Sequence, residues 1–324
     1  KLMSKNSNSN VKGFNIDYEE HFKGYQGEVA EARFAAKNIG VSLIEDKIQY
    51  SDFKKIIDNY SFYQDDLVGD EVGIPLYFLG ESAKRSGIKV VQVGEGADEL
   101  FYGYDHWLRF IKLNRYIKPI TKSGSNNFKF KGHRANLLSN ILLNRTSFAG
   151  GALGFNVPEI EDLLVNGITD DFELINNVDN KWDDYFSNKN SKLTKWMTLI
   201  DLQIRLPELL LMRMDKLVMQ SSIEARVPFL DHKLIEYILT IPEKIIFDKQ
   251  NTKPLIKQVA NKHIPKEIYN RTKQGFRAPV GEWIKKDQEY FYDSIRSFNS
   301  STNLFKSKSL EKIISGEDYK KKWY

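Results

Sequence analysis

The sequence predicts an α/β fold with a parallel sheet, followed by a mostly helical part. Three features support this prediction: two short β-rich runs flank a helical pattern near the start, one apolar run has the composition of a buried strand, and strand patterns fade after about Phe110. Parallel strands need a crossover connection, which is usually a helix. Alternating strand and helix patterns are therefore typical of α/β layers.

The first elements form a predicted βαβ unit. Residues 11–17 (VKGFNID) and 41–46 (VSLIED) are the β-rich runs, and the helical pattern EVAEARFAAKNIG lies between them. Gly40 is typical of a residue at which a helix ends. The apolar side of this helix is predicted to comprise Val29, Ala30, Ala32, Phe34 and Ala35.

Two further helices are predicted over residues 52–60 and 74–86, and they lead into residues 88–93 (IKVVQV). This last run is apolar and β-branched, which is typical of a strand buried on both faces of a parallel sheet. Residues 194–219 and 233–240 have helical patterns and belong to the later, mostly helical part.

Composition excludes several classes of site. The 324 residues include no cysteine, so the chain holds no disulfide, no thiolate metal site and no cysteine nucleophile, including the one that a glutamine amidohydrolase of the N-terminal-nucleophile kind needs. The 48 basic and 43 acidic residues leave a formal net charge of +5. This excess fits a nucleotide or phosphate ligand but is too small to indicate a nucleic-acid partner.

The sequence also lacks signals for a membrane or for secretion. The densest apolar stretch, residues 206–214, is interrupted by Pro207 and Glu208, whereas a membrane-spanning helix needs about 20 apolar residues. Residues 1–10 begin with lysine and lack the layout of a signal peptide. We therefore expect a cytoplasmic protein without a membrane partner, and the sequence leaves open whether it is a homo-oligomer.

The segment VVQVGEGADELFYGY, residues 90–104, is the most informative part of the chain. Residues 94–99, which we call the acidic loop, place the carboxylates of Glu95, Asp98 and Glu99 beside two glycines at the predicted carboxyl end of a parallel strand. Open α/β sheets bind ligands at that edge. The alternative is that the acidic residues only stabilise the start of a helix.

Two other stretches combine charged residues in patterns of interest. Residues 205–232 set charged side chains among apolar ones, which indicates either a ligand pocket or a salt-bridge network that joins the layers. Residues 270–279, the basic loop, place Arg271, Lys273 and Arg277 around Gly275. Such a loop can hold phosphate, although basic surface loops are common.

Taken in order, GEGADELFYGY, MDKLVMQSSIEARVPFLDH and KQGFRAPVGEW resemble the synthetase domain of glutamine-hydrolysing asparagine synthetases and their relatives, including β-lactam synthetases and amidotransferases that act on carboxylated sugars. The resemblance runs from about residue 11 to residue 283. It implies an adenine nucleotide α-hydrolase-like fold, in which a twisted parallel sheet is flanked by helices. Residues 1–115 would be the nucleotide-binding part of one synthetase domain, and residues 116–324 its mostly helical part.

The resemblance also implies a reaction. A substrate carboxylate attacks the α-phosphorus of ATP with Mg²⁺ as cofactor, pyrophosphate leaves, and an amine displaces AMP from the acyl-adenylate. Glu95 matches the carboxylate that orients or deprotonates the amine, and Asp98 matches a ligand of the Mg²⁺ ion. Lys273 matches a lysine that meets charge developing on the phosphates.

Other residues of the resemblance concern binding. Those implied to hold adenosine are Ile16, Val93 and Gly94. Those implied to line the substrate pocket are Arg213, Asp215, Glu224 and Arg226. Tyr102 stands where asparagine synthetases usually have glycine, and residues 64–70 are only loosely similar to the family. Both departures bear on the identity of the acceptor carboxylate.

Two parts of the family pattern are not in the sequence. One is the phosphate-binding Ser-Gly-Gly-x-Asp-Ser loop, and the other is the glutaminase domain that supplies ammonia. We therefore expect this chain to be the later part of a longer polypeptide. The leading hypothesis is an asparagine synthetase-like ligase, and a second is the same chemistry on another small-molecule carboxylate, such as a uronic acid. A third is a non-catalytic interaction module that retains the fold.

Overall fold

The structure, a computed structural model, describes residues 1–8, 10–20, 28–64, 66, 68–117, 141, 148, 155, 157–167, 173–270 and 276–316. Helices predominate, and the strands form small parallel sheets. The contacts group the chain into two compact units, the first made of Lys1–Gly103 with Pro207–Lys286 and the second of the described residues of Tyr104–Leu206 and Asp287–Lys322. These bounds differ from the division at residue 115, which stays a prediction.

The predicted βαβ unit is confirmed. Strands β1 (Lys12–Tyr18) and β2 (Ser42–Ile48) pair in parallel, from Lys12 opposite Ser42 to Tyr18 opposite Ile48. Helix α2 (Val29–Ile39) connects them and ends at Gly40, whose φ of 75° lies in the left-handed region that favours glycine.

The apolar side predicted for α2 is wrong in part. Ala36 is the buried residue of this helix, whereas Ala30 is exposed and Phe34 is 44% exposed. The prediction included Ala30 and Phe34 and left out Ala36. Only the stripe centred on Ala36 faces the sheet, because a helix turns about 100° per residue.

The remaining elements of the first unit are helices and two short strands. Before the acidic loop they are α1 (Leu2–Asn6), α3 (Tyr50–Ile57), α4 (Tyr60–Gln64), α5 (Gly73–Arg85) and β3 (Val90–Gln92). After it come α6 (Ala97–Phe101), the helix Met212–Met219, β4 (Glu224–Arg226), the 3₁₀ turn Pro228–Leu230, and the helices His232–Thr240, Glu243–Ile246, Pro254–Ala260, Lys266–Tyr269 and Val280–Lys286.

The third strand differs from its prediction. β3 is shorter than residues 88–93 and pairs in parallel with β4, in a sheet separate from β1 and β2. Val90 is 41% exposed, so the expectation that the strand is buried on both faces is wrong. Among the described residues β4 is its only hydrogen-bonded strand neighbour.

Close helix packing builds the core of the first unit. A Cβ atom on Gly80 of α5 would lie 3.2 Å from the backbone of Val218, so α5 and the helix Met212–Met219 are nearly in backbone contact. Leu217 of that helix is fully buried, as is Ile74 of α5. The ring of Phe53 stacks on Trp283 at 4.8 Å between centroids.

The second unit consists of helices around buried tryptophans. Its elements are α7 (Asp105–Ile117) and the helices Val157–Leu163, Glu173–Ser187, Leu193–Ile200, Gln288–Thr302 and Ser307–Ser315. Trp107 and Trp196 are fully buried. A π-helical stretch, Asp201–Leu211, interrupts the predicted helix 194–219 and contains Pro207. Among the described residues, no helix is both long enough and apolar enough to span a membrane.

A polar cluster fastens residues 277–286 to the carboxyl ends of β1 and β2. The Tyr18 hydroxyl donates to the Arg277 carbonyl oxygen at 2.6 Å. Glu20 accepts hydrogen bonds from Lys286 at 2.7 Å and from the Tyr50 backbone N–H at 3.1 Å. Burial alone would raise the pKa of the Glu20 carboxyl, but the hydrogen bonds from Lys286 and from the Tyr50 backbone outweigh this effect, so the pKa lies below its ordinary value.

This lowered pKa predicts a component of acid sensitivity. Because the unfolded state binds the proton more tightly, the stabilisation by ionised Glu20 is complete above the ordinary glutamate pKa of about 4.3 and is lost as the pH falls through the lower folded value. We expect Glu20→Gln to be destabilised at neutral pH and to approach wild type in acid. Urea unfolding midpoints measured from about pH 7 to about pH 3.5 test this. A gap that stays constant with pH would refute it, and the exposed Glu31→Gln on α2 is the control.

Candidate active site

The acidic loop begins where the parallel pairing of β3 and β4 ends. The last bond of this pairing runs from the Val93 N–H to the Arg226 carbonyl oxygen, at 2.9 Å. Gly94 follows, and a Cβ atom at that position would meet no heavy atom within 4 Å. The chain therefore presents open backbone at the carboxyl end of β3, the edge at which parallel sheets bind ligands.

Gly96 is required for a different reason. Its φ is 88°, and a Cβ atom there would overlap the side chain of Leu230. The ring centroids of Phe101 and Phe229 also lie 6.3 Å apart, and the two rings are nearly perpendicular. Gly96 thus allows the acidic loop to pack beneath the turn Pro228–Leu230, and this contact fixes the start of α6.

The carboxylates of the acidic loop differ in burial. Glu99 is 1% exposed and belongs to the core, whereas Glu95 and Asp98 are partly exposed. Asp98 pairs with Lys253, whose Nζ atom lies 2.9 Å from Oδ1. Glu95 and Asp98 are therefore the carboxylates that a ligand can reach.

Lys253 is a site residue that sequence reasoning missed. It precedes the helix Pro254–Ala260, with a left-handed φ of 52°, and its N–H donates to the Tyr102 carbonyl oxygen at 3.4 Å. Gly103 leaves room for the ion pair, because a Cβ atom there would overlap both Asp98 and the Lys253 side chain. Pro254 marks the start of a helix in the sequence, but no local pattern links this lysine to Asp98.

The donor set near Asp98 suits one kind of metal site. Within the part of the chain that the structure describes, no three His, Asp or Glu side chains are grouped closely enough to hold a metal ion. Mg²⁺ does not require such a cage, since it is usually bound by one or two carboxylates together with substrate phosphates and water. Asp98 can supply one such carboxylate, and the ammonium group of Lys253 suits the phosphates rather than the metal ion.

The residues predicted to line the substrate pocket differ in their burial and in their charged partners. Glu224 and Arg226 pair with each other on β4 at 2.7 Å, and both are exposed. Asp215 is exposed on the helix Met212–Met219. Arg213, on the same helix, is buried and forms an ion pair with Asp70.

Asp70 is a second residue that the sequence did not reveal. Its Oδ1 accepts a hydrogen bond from the Val72 N–H at 2.9 Å, and its carbonyl oxygen accepts one from the Tyr60 hydroxyl at 2.9 Å. Burial raises the pKa of Tyr60. Asp70 thus joins a buried polar cluster with Tyr60 and Arg213, inside the region that is only loosely similar to the family.

The other predicted residues lie apart from the acidic loop or outside the described residues. Ile16 is 3% exposed on β1, whereas Val93 and Gly94 follow β3, which belongs to the other sheet. Lys273 and its neighbour Arg271 lie outside the described residues. Arg277, the last basic residue of that stretch, is tied to Tyr18 through its carbonyl oxygen.

Comparison with known proteins gives a consistent result. A sequence profile described as asparagine synthase matches residues 1–324. Asparagine synthetase [glutamine-hydrolyzing] 1 of Bacillus subtilis is 26% identical over 301 residues, which are 90% of this chain and 46% of that protein. A putative asparagine synthetase [glutamine-hydrolyzing] of Mycobacterium tuberculosis is 27% identical over 281 residues, 83% of this chain and 42% of that protein.

A relative with a different name aligns over a similar share of the chain. Amidase chyE of Penicillium rubens is 23% identical over 312 residues, which are 85% of this chain and 44% of that protein. This chain therefore spans somewhat less than half of the length of each of these three relatives.

The buried ion pair predicts a large effect on stability. Asp70→Ala leaves Arg213 buried without its counter-charge, and we expect a loss of about 3–5 kcal/mol in the free energy of unfolding. Adding Arg213→Met should recover part of this loss. Urea denaturation measures both, and a double variant no more stable than Asp70→Ala would contradict the prediction. Glu224→Ala, which breaks an exposed ion pair, is the control and should cost much less.

We expect the two glycines of the acidic loop to differ in how well they tolerate substitution by alanine. Gly96→Ala combines left-handed strain with overlap on Leu230, and we expect it to be destabilised by about 2–4 kcal/mol. Gly94→Ala meets open space and should change stability by no more than about 0.5 kcal/mol. Thermal and urea unfolding of the two variants test this contrast, and equal losses would refute it.

Proposed function

The chain belongs to the asparagine synthase family, and on this basis we propose that it catalyses ATP-dependent formation of an amide from a substrate carboxylate. The observation that carries the proposal is the acidic loop, in which Glu95 and Asp98 are accessible beside open backbone at Gly94. Asp98 is paired with Lys253, so cationic and anionic groups lie side by side.

In the proposed reaction, the substrate carboxylate attacks the α-phosphorus of ATP and pyrophosphate leaves, which forms an acyl-adenylate. The backbone of Val93 and Gly94 would contact adenosine, with Ile16 contributing from β1. Lys253 and Lys273 would neutralise charge on the phosphates as the α–β bond breaks, a task that suits the point charge of an ammonium group. When bound, Mg²⁺ would supply further charge neutralisation, with Asp98 as its ligand from this part of the chain.

Glu95 would act in the second step. A partly exposed carboxylate beside the acyl group can orient the incoming amine and accept a proton as nitrogen bonds to the carbonyl carbon and AMP leaves. Glu99 is buried and has no part in this step. We propose ammonia as the amine, supplied by a glutaminase domain that is not part of this chain.

Two classes of carboxylate are candidates for the acceptor. Aspartate is the first candidate, because relatives that align with most of this chain are named asparagine synthetases. The second candidate is a different small-molecule carboxylate, such as a uronic acid. It is supported by Arg213, which already has Asp70 as a counter-charge.

Two measurements on the full-length protein test the proposal: carboxylate-dependent exchange of radiolabelled pyrophosphate into ATP, and the rate of amide formation. We expect Glu95→Gln and Lys273→Met to lower amide formation about a hundredfold or more, because each removes a group that acts on the reacting atoms. The exposed residues Glu31 and Lys37 on α2 supply matched controls, Glu31→Gln and Lys37→Met. If both site variants stayed within about threefold of wild type, the site assignment would be wrong.

AMP release then identifies the acceptor. The same protein is supplied with aspartate, uronic acids and other amino-acid derivatives in turn, and the carboxylate with the highest kcat/KM is the substrate. Absence of exchange with every member of the panel would favour the non-catalytic module.

A further inference from the structure

Tyr102 has a backbone conformation that its surroundings must maintain. Its φ is 56°, in the left-handed region where a Cβ atom causes strain. The residue is nevertheless buried, with 4% of its surface exposed. A strained residue of this kind persists only where neighbouring structure determines its position, and such residues are concentrated at functional sites.

Two contacts join Tyr102 to the turn of residues 247–253. Its ring centroid lies 5.1 Å from that of Phe247, and the angle between the two ring planes is 71°. Its carbonyl oxygen accepts the N–H of Lys253. Tyr102 therefore contacts this turn at both of its ends.

The turn has its own internal support. The Asp248 carboxylate accepts hydrogen bonds from the Gln250 N–H and from the Asn251 side-chain amide, each at 2.8 Å. These bonds lower the pKa of Asp248. The turn therefore holds its own shape, and its contacts with Tyr102 determine where it presents Lys253.

Lys253 is the last residue of this turn, and its side chain pairs with Asp98. Its φ of 52° is also left-handed, and its side chain reaches Asp98 past Gly103, which has no side chain to obstruct it. Two strained residues, Tyr102 and Lys253, thus contact each other through their backbones next to the acidic loop.

We propose that Tyr102 is a positioning residue, which holds Lys253 against Asp98 and acts on bound phosphate only through that lysine. The inference rests on the proposed function, in which Asp98 and Lys253 face the phosphates. Its chemical basis is a rigid aromatic contact that fixes a flexible lysine, whose four-carbon side chain otherwise loses considerable rotamer entropy on binding.

Binding of magnesium pyrophosphate to the full-length protein, measured by isothermal titration calorimetry, tests this inference. We expect Lys253→Met to weaken binding about tenfold and Tyr102→Gly to weaken it about fivefold. Tyr102→Phe keeps the ring and should remain within about twofold of wild type. In the Lys253→Met background, Tyr102→Gly should add less than about a further twofold. Ser222→Gly is the matched control, because Ser222 also has a left-handed φ, of 59°, but is exposed.

The outcomes separate this inference from the proposed function. If Tyr102→Gly weakens binding equally with and without Lys253, or leaves binding unchanged, Tyr102 does not act through the lysine and the inference fails alone. If Lys253→Met has no effect, or the wild-type protein does not bind magnesium pyrophosphate, the inference fails together with the proposed phosphate site. Should Tyr102→Gly not fold, Phe247→Leu removes the same ring contact and must give the same dependence on Lys253.

Discussion

The acidic loop depends on the pairing of β3 with β4. Each strand has only three residues, yet this pairing determines where the chain stops being a strand and becomes the open backbone at Gly94. β4 leads directly into the turn Pro228–Leu230, whose Leu230 side chain occupies the space above Gly96. Three-residue strands contribute little stability by themselves, so the arrangement relies on the packing of α5 against the helix Met212–Met219 beside them.

Local patterns in the sequence were sufficient for elements whose signals are local. The βαβ unit follows from runs of β-rich and helical residues, and Gly40 ends α2 as a left-handed glycine. Burial was harder to predict, because it depends on neighbours that periodicity does not identify. Residues 88–93 have the composition of a central strand, but within the described part of the chain β3 has one paired neighbour, and Val90 is exposed. β4 was missed because Glu-Ala-Arg offers one apolar residue and no alternation over a useful length.

The burial and the partners of charged residues were also not predictable from the local sequence. Arg213 and Arg226 both occur in the charged stretch of residues 205–232, yet the first is buried with Asp70 and the second is exposed with Glu224. The partner and the burial decide what such a residue contributes, and both are set by the folded chain. Lys253 could not be assigned to the acidic loop for the same reason. The closest constraint on Gly96 is the Leu230 side chain, which lies far along the chain and could not be predicted from the local pattern.

The distance along the chain between the acidic loop and its partners has a consequence for synthesis on the ribosome. The loop emerges early, whereas β4, Leu230 and Lys253 follow only after the chain has passed through Tyr104–Leu206 in the second unit. At about 5–20 residues per second, the nascent chain carries the acidic loop without its cationic partner for several seconds or more. The ion pair between Asp98 and Lys253 thus forms only after most of the first unit has been synthesised. Under the proposed function, the site that would hold phosphate is therefore completed late, after most of the fold that surrounds it.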